Sequence, residues 1–171
     1  MSEQTGAITF KGSPLTLVGN QVQTGQAAPD FAAVGNDLNP VELSSFHGKV
    51  VIISAVPSLD TPVCDTQTRR FNEEVGKLGD DVVLLTISVD LPFAQARWCG
   101  AADAKNVTAV SDYKDHAFGQ AYGLDIKELG LLARAVLVID KQGVITHYEL
   151  VGEVTQEPDY DAALAAATTS G

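Results

Sequence analysis

Two cysteines are the residues of this sequence best suited to covalent chemistry. Cys64 ends the run Thr-Pro-Val-Cys at residues 61–64, and Cys99 lies in the run Arg-Trp-Cys-Gly at residues 97–100. The N-terminus shows no basic start followed by an apolar run, so we predict no signal peptide and a cytoplasmic location. In a reducing cytoplasm cysteines are more often chemical than structural.

The residues before Cys64 predict that it lies in the first turn of a helix. Thr61 is a favoured N-cap residue, and Pro62 is favoured at the first helical position. Unpaired backbone N–H groups and the helix dipole stabilise negative charge in that turn, which favours the nucleophilic thiolate. Alternatively, Cys64 is a small buried hydrophobe on the core face of the helix, and its position alone leaves both interpretations open.

Cys99 has a plainer alternative, because it could simply pack beside Trp98 on a second helix. Chemistry connects it to Cys64, since a sulfenic acid formed on one cysteine condenses with a second thiol to a disulfide. The bond requires Cα atoms within about 4.4–6.8 Å of each other. We therefore expect part of one of the two helices to open locally before the bond forms.

Hydrophobic patterns predict an α/β fold. Residues 49–56 form an almost continuous apolar run rich in β-branched residues, which is typical of a central strand covered on both faces. An N-terminal β-hairpin is predicted around the turn at residues 11–14. The other predicted elements are strands at 82–89, 106–110, 135–139 and 144–150, and helices at 61–78, 92–102, 115–122 and 158–167, the last with Pro158 at its start. Their order predicts a single domain over residues 1–171, with a mixed central sheet flanked by helices as in thioredoxin-like folds.

Composition and charge exclude several classes of partner. A formal net charge of −11 and a pI near 4.5 argue against nucleic acid and anionic membrane surfaces. No apolar stretch approaches the roughly 20 residues of a membrane helix. His47, His116 and His147 show no metal-ligand spacing with each other or with the cysteines, so no metal site is predicted.

Three motifs in order resemble the peroxiredoxin family. They are Ala-Pro-Asp-Phe at residues 28–31, Gly-Lys-Val-Val at 48–51 and Leu-Asp-Thr-Pro-Val-Cys-Asp at 59–65. The Thr-Pro-Val-Cys run matches the Thr-x-x-Cys active-site motif of that family. The N-terminal hairpin and the position of Cys99 are similar to those of its bacterial thiol peroxidase subfamily, the atypical two-cysteine peroxiredoxins.

The resemblance implies a thioredoxin-like fold and reduction of hydrogen peroxide or alkyl hydroperoxides. It makes Cys64 the peroxidatic cysteine and Cys99 the resolving cysteine, joined by a disulfide within one chain. Thr61 matches the threonine whose hydroxyl contacts thiolate and peroxide, Arg134 matches the active-site arginine, and Pro57 matches a proline near that pocket. Thioredoxin as reductant and a homodimer are implied as partners, and no cofactor is expected.

Elementary electrostatics agrees with the role implied for Arg134. This residue interrupts an apolar run at the start of a predicted strand, where an unpaired guanidinium would be costly. A thiolate partner would explain it, and the guanidinium could polarise the O–O bond as charge builds on the leaving oxygen. The alternative is a strand-end arginine whose head reaches water. Asp65 is unexpected, because an acid directly after Cys64 opposes thiolate formation.

Two other functions are compatible with the same residues. A redox-responsive binding protein would use the same disulfide to change a surface, without significant turnover. A thioredoxin-like domain with inert buried cysteines would neither form the disulfide nor turn over peroxide. Trp98 is interpreted as a packing residue, and the pair Arg69-Arg70 as a solvated helix face.

Overall fold

A computed structural model describes residues 2–170, so Met1 and Gly171, the ends of the predicted domain, lie outside the described residues. Its strands are β1 (Glu3–Phe10), β2 (Ser13–Val18), β3 (Ala32–Val34), β4 (Pro40–Glu42), β5 (Val50–Ala55), β6 (Val82–Ser88), β7 (Val107–Ser111), β8 (Asp125–Ile126), β9 (Leu131–Leu132), β10 (Ala135–Ile139) and β11 (Ile145–Leu150). Its α-helices are α1 (Pro62–Val75), α2 (Pro92–Ala102), α3 (Ala117–Tyr122) and α4 (Tyr160–Thr169), and a short 3-10 helix spans Leu43–Phe46.

A seven-stranded mixed sheet forms the centre, in the order β11-β10-β5-β6-β7-β3-β4. Strands β5, β6 and β7 are parallel, and the other neighbours are antiparallel. Every residue of β5 is buried, because helices or hairpins cover both faces of the sheet at its centre. The predicted α/β fold with a mixed sheet is therefore confirmed.

The N-terminal hairpin is also confirmed, and it belongs to a second sheet. Strands β1 and β2 pair with a register shift between Thr5 and Ile8, and β8 and β9 extend the sheet in the order β1-β2-β8-β9. The hairpin begins at Glu3, earlier than predicted, because the irregular register lets pairing continue past Gly6.

Two apolar clusters cover the faces of the central sheet. On one face Phe71 of α1 and Tyr160 of α4 meet edge to face, with ring centroids 5.1 Å apart. On the other face Phe31, Phe118 and Tyr122 pack together with apolar residues of the N-terminal hairpin. Helices α1 and α4 are thus fixed by burial on one side of the sheet, and the hairpin and α3 on the other.

The bounds of α1, α3 and α4 differ from the prediction, and α3 begins at Ala117, two residues later than predicted. Helix α1 ends at Val75 with Gly76 as its C-cap, so Leu78 lies in the following turn and not on the helix. Helix α4 does not start at Pro158, because the carboxylate of Asp159 accepts the backbone N–H of Ala162 at 3.0 Å and caps the helix one residue later.

The parallel strands bring the starts of the two helices that carry the cysteines to one edge of the central sheet. Helix α1 follows the carboxyl end of β5, and α2 follows the carboxyl end of β6, the neighbouring strand. Open α/β sheets place their reactive groups at this edge. Within residues 2–170 no helix is long and apolar enough to cross a membrane.

Candidate active site

The start of α1 places Cys64 as the sequence predicts. Thr61 is the N-cap residue, with extended backbone angles of φ −135° and ψ 150°, and Pro62 is the first helical residue. The carbonyl of Thr61 accepts the first helical hydrogen bond, from the N–H of Asp65 at 2.9 Å. Cys64 is therefore the third residue of the helix, in the turn where the dipole favours an anion.

The Thr61 side chain does not cap this helix. Its Oγ1 donates to the carbonyl of Ser58 at 2.9 Å, which closes the turn before the helix. In the described part of the chain no hydrogen bond joins this hydroxyl to Cys64. Thr61 is exposed, whereas Cys64 is buried.

Cys64 and Arg134 meet inside the protein. The Nη2 of Arg134 lies 3.2 Å from the Sγ of Cys64, within hydrogen-bond distance for sulfur. Cys64 has 0% and Arg134 2% of its surface exposed. The contact is a charge-assisted hydrogen bond in a setting that excludes water.

Arg134 is fixed by every nitrogen of its side chain. Nε and Nη2 donate to the carbonyl of Val154 at 2.9 and 2.8 Å, and Nη1 donates to Oε1 of Gln67 at 2.9 Å. The amide of Gln67 in turn donates to Ser54 at 2.7 Å. The guanidinium therefore presents its remaining donor to Cys64 in a single orientation, without reorganisation.

Asp90 holds the loop that leads into α1. Its carboxylate accepts the hydroxyls of Ser58 and Ser88, each at 2.7 Å, and the backbone N–H of Leu59 at 2.8 Å. Pro57 is buried at the beginning of the same loop, two residues after Ala55, the last residue of β5. The loop is thus tied to β6, and this fixes where α1 begins.

Cys99 lies in the second half of α2, and both cysteines are free thiols. Burial raises the pKa of the Cys99 thiol, so the packed residue is a weak nucleophile. Helix α2 buries only Pro92 and Gln95, both near its start. It ends at Asp103 in a left-handed conformation with φ 53°, and the N–H of Ala104 donates to the carbonyl of Cys99 at 3.0 Å. Few buried side chains therefore hold the turn that carries Cys99, and Trp98 makes its contacts with α1.

The charge of Asp65 is compensated by contacts on both of its oxygens. Oδ2 accepts the Nε–H of Arg69 at 2.8 Å, and Oδ1 accepts the indole N–H of Trp98 at 2.7 Å. These contacts explain how an acid is tolerated beside Cys64. Trp98 also packs on a small cluster of Val56, Leu59 and Cys64, as its interpretation as a packing residue required.

One cluster of metal-ligand type occurs elsewhere, at the start of α3. Asp112, His116 and Asp125 bring one ligand atom each within 4.8 Å of one another. The carboxylate of Asp112 accepts the N–H groups of Phe118 and Gly119 at 2.9 and 2.8 Å, and His116 contacts Asp125 at 3.1 Å. These polar groups are thus used to anchor the helix.

The fold defines a thioredoxin-like protein that pairs a buried cysteine with a guanidinium, and comparison with known proteins agrees with this class. The sequence profile of the Redoxin family matches residues 23–164. A thiol peroxidase of Halalkalibacterium halodurans is 55% identical over 161 residues, covering 94% of this chain and 96% of that protein. A thiol peroxidase of Bacillus subtilis is 55% identical over 160 residues, covering 94% and 95% respectively.

Solved structures agree with the sequence comparisons. The crystal structure of a peroxiredoxin-like protein from Aquifex aeolicus superposes with a TM-score of 0.89 at 38% identity, and covers 96% of this chain and 98% of that one. The chain belongs to the Redoxin family. Its relatives within that family are bacterial thiol peroxidases, and this confirms the predicted resemblance, the thioredoxin-like fold and a peroxidase activity that uses a thiol.

The structure brings some predicted site residues together and separates others. Cys64 and Arg134 are in direct contact, whereas Cys99 reaches the site only through its neighbour Trp98. Sequence reasoning missed Gln67 and Asp90. Gln67 lies three residues after Cys64 and hence on the same helix face, which could have identified it. The contacts of Asp90 depend on the packing of two loops and have no pattern in the sequence.

Proposed function

We propose that this chain reduces hydrogen peroxide and alkyl hydroperoxides with Cys64 as the attacking thiolate and Cys99 as the resolving thiol. The observation that carries the proposal is the 3.2 Å contact between Sγ of Cys64 and Nη2 of the buried Arg134. A guanidinium with its other donors already engaged can stabilise charge on sulfur and on a neighbouring oxygen. The proposed mechanism requires no cofactor.

In the first step the thiolate of Cys64 attacks the nearer peroxide oxygen. The S–O bond forms as the O–O bond breaks, and the leaving oxygen takes a proton to become water or an alcohol. Cys64 is left as a sulfenic acid. Arg134 stabilises the negative charge that moves from sulfur to the leaving oxygen, the exposed hydroxyl of Thr61 contacts the peroxide, and Pro57 forms part of the pocket wall.

In the second step the sulfur of Cys99 attacks the sulfur of the sulfenic acid. An S–S bond forms, the S–O bond breaks, and hydroxide leaves and is protonated to water. We expect the second half of α2 to open first, because few buried side chains hold it and because the packed Cys99 thiol has a raised pKa. Thioredoxin then reduces the disulfide through exchange with its own dithiol, which restores both thiols.

The remaining parts of the proposal concern assembly and location. We propose one domain in the cytoplasm, where a dithiol reductant is available. We further propose a homodimer that uses the exposed side chains of Leu91, Phe93 and Tyr113. The two segments that carry them are joined by a hydrogen bond from Ser111 to the carbonyl of Asp90, so the three apolar groups lie at one edge of the protein.

Intact mass after one equivalent of hydrogen peroxide tests the two cysteine roles. The wild type should lose about two daltons, Cys99→Ser should gain about sixteen as a sulfenic acid, and Cys64→Ser should not change. A Cys64→Ser variant that reacts as readily as the wild type would refute the assignment.

Turnover with thioredoxin and its reductase tests the recycling step. Sustained peroxide consumption by the wild type is expected, and each single-cysteine variant should lose it. Stoichiometric oxidation without sustained turnover would instead favour a redox-responsive binding protein that uses the same disulfide. Arg134→Gln provides a matched test of the site itself, because it keeps a planar hydrogen-bonding group but removes the charge.

A further inference from the structure

We propose that Asp65 and Trp98 form a latch between α1 and α2, and that its release sets how fast Cys99 reaches the Cys64 sulfenic acid. The inference rests on the proposed two-cysteine mechanism and assigns roles to two residues that take no part in the chemistry. Both are positioning residues. Each stands beside a cysteine in the chain: Asp65 directly follows Cys64, and Trp98 directly precedes Cys99.

The latch is a hydrogen bond to a charged group. The indole Nε1–H of Trp98 donates to Oδ1 of Asp65 at 2.7 Å, and Arg69 binds the other carboxylate oxygen at 2.8 Å. The guanidinium carbon of Arg69 also lies 5.5 Å from the centre of the indole ring. Arg69 thus holds the carboxylate in position to accept from the indole, and packs against the same ring.

The bond acts on the part of α2 that must move. Within the described chain the buried residues of this helix are Pro92 and Gln95, and both precede Trp98 in the sequence. In the second half of the helix Trp98 packs on the cluster around Cys64, and its indole N–H is bound to α1. Opening the turn that carries Cys99 therefore requires this hydrogen bond to break.

A latch of this kind controls the fate of the sulfenic acid. In one outcome Cys99 displaces hydroxide from the Cys64 sulfur, so that the S–O bond breaks and the disulfide forms. In the other, the sulfenate sulfur attacks a second peroxide, whose O–O bond breaks to give a sulfinic acid and water. A closed latch keeps Cys64 in its dry pocket with Arg134, which favours reaction with peroxide. An open latch favours the disulfide.

Removing the latch should speed disulfide formation. Trp98→Phe keeps an aromatic ring but removes the donor, and Asp65→Ala removes the acceptor. A hydrogen bond to a charged group contributes a free energy equivalent to about tenfold or more in an equilibrium constant. Because the Asp65 side chain is 35% exposed, we expect the lower end, about five- to tenfold faster disulfide formation in either variant.

The experiment is rapid quenching with acid after a peroxide pulse, followed by intact-mass measurement of sulfenic acid, disulfide and sulfinic acid. Trp98→Phe and Asp65→Ala should each form the disulfide faster and accumulate less sulfinic acid. The double variant should behave like either single variant, because the two changes remove the same bond. Oxidation of Cys64 itself, measured with Cys99→Ser in the background, should keep its wild-type rate in Trp98→Phe. Asp65→Ala also removes a negative charge beside Cys64, so for this variant the rate is taken from the conversion of sulfenic acid to disulfide alone.

Tyr160→Phe is the matched control. It removes a hydrogen bond of the same kind, from the Tyr160 hydroxyl to Glu157 at 2.6 Å, on a helix that carries no cysteine. It should leave disulfide formation unchanged. Unchanged or slower disulfide formation in Trp98→Phe and Asp65→Ala overturns the latch. Absence of any disulfide in the wild type would instead refute the proposed function, so the two failures are distinguishable.

Discussion

Gly100 gives the sharpest test of which helix opens during catalysis. It directly follows Cys99 within α2, and a Cβ atom added there would meet no other atom within 4 Å. Gly100→Ala should therefore fit the closed structure without strain. Alanine is favoured over glycine in a helix interior by about 1 kcal/mol. The substitution should stabilise the helical turn that carries Cys99 by this amount and leave the opened turn unaffected.

The expected magnitude follows from treating the opening of α2 as a rapid equilibrium before disulfide formation. A change of about 1 kcal/mol lowers the open population by about fivefold, so disulfide formation should slow by about fivefold. Trp98 is the one tryptophan of the sequence and lies beside Cys99, so its fluorescence in a stopped-flow instrument should report the step directly. The initial oxidation of Cys64 should keep its rate.

Two further substitutions control this measurement. Ala101→Gly, at an exposed position of the same helix, should have the opposite effect and speed disulfide formation by about fivefold. Ala165→Gly makes the same exchange at an exposed position of α4 and should have no effect on this step. If Gly100→Ala and Ala101→Gly both left the rate of disulfide formation unchanged, α2 would not be the element that opens.

Three other outcomes follow from the site and its supports. Arg134→Lys should lower the second-order rate constant for peroxide by about 10²-fold, measured by competition with a second peroxidase, because lysine cannot repeat the fixed set of donors. Hydrogen bonds from Thr155 and from the Gly12 N–H lower the pKa of Glu153 to about 2. The stability that Glu153 contributes is therefore present above pH 4.5 and is lost as pH falls from there towards 2. Glu153→Gln should remove this part of the acid unfolding transition, followed by circular dichroism. Burial raises the pKa of the Cys99 thiol above 9.0, so the closed helix holds the thiol proton more tightly than the open helix does. Disulfide formation should therefore accelerate as pH rises through 9. A rate of disulfide formation that stays constant across that range would contradict this expectation.

The sequence predicted the parts of the fold that depend on long, regular patterns. The apolar run that forms β5 and the Thr-Pro pair that begins α1 were both recognisable, because burial on two faces and helix capping restrict residue type. Strands β3, β4, β8 and β9 were missed. They have two or three residues each, too few to show an alternating pattern, and they pair only because the chain around them is already in place.

Some contacts of the candidate site could likewise be predicted from the sequence, and others could not. Arg134 could be predicted because a charge inside an apolar run requires a partner, and its contact with Cys64 supplies one. The carbonyl of Val154, which accepts two of its hydrogen bonds, could not, because a backbone group has no residue type to recognise. The bond between Asp65 and Trp98 joins residues far apart in sequence, and each of them alone has an ordinary explanation as a surface acid or a packing aromatic.

The burial of Arg134 has a consequence for the energetics of the whole redox cycle. Among residues 2–170 none of its contacts is with a carboxylate, so in the proposed cycle the attacking thiolate would be the anion that balances its charge. Oxidation to the proposed disulfide would remove that anion and leave the guanidinium uncompensated in a dry site. Stabilisation of the reduced form in this way makes a disulfide more oxidising, as in strongly oxidising thiol proteins. If Cys64 is the attacking thiolate, as proposed, its contact with Arg134 thus also favours reduction of the disulfide back to that thiolate.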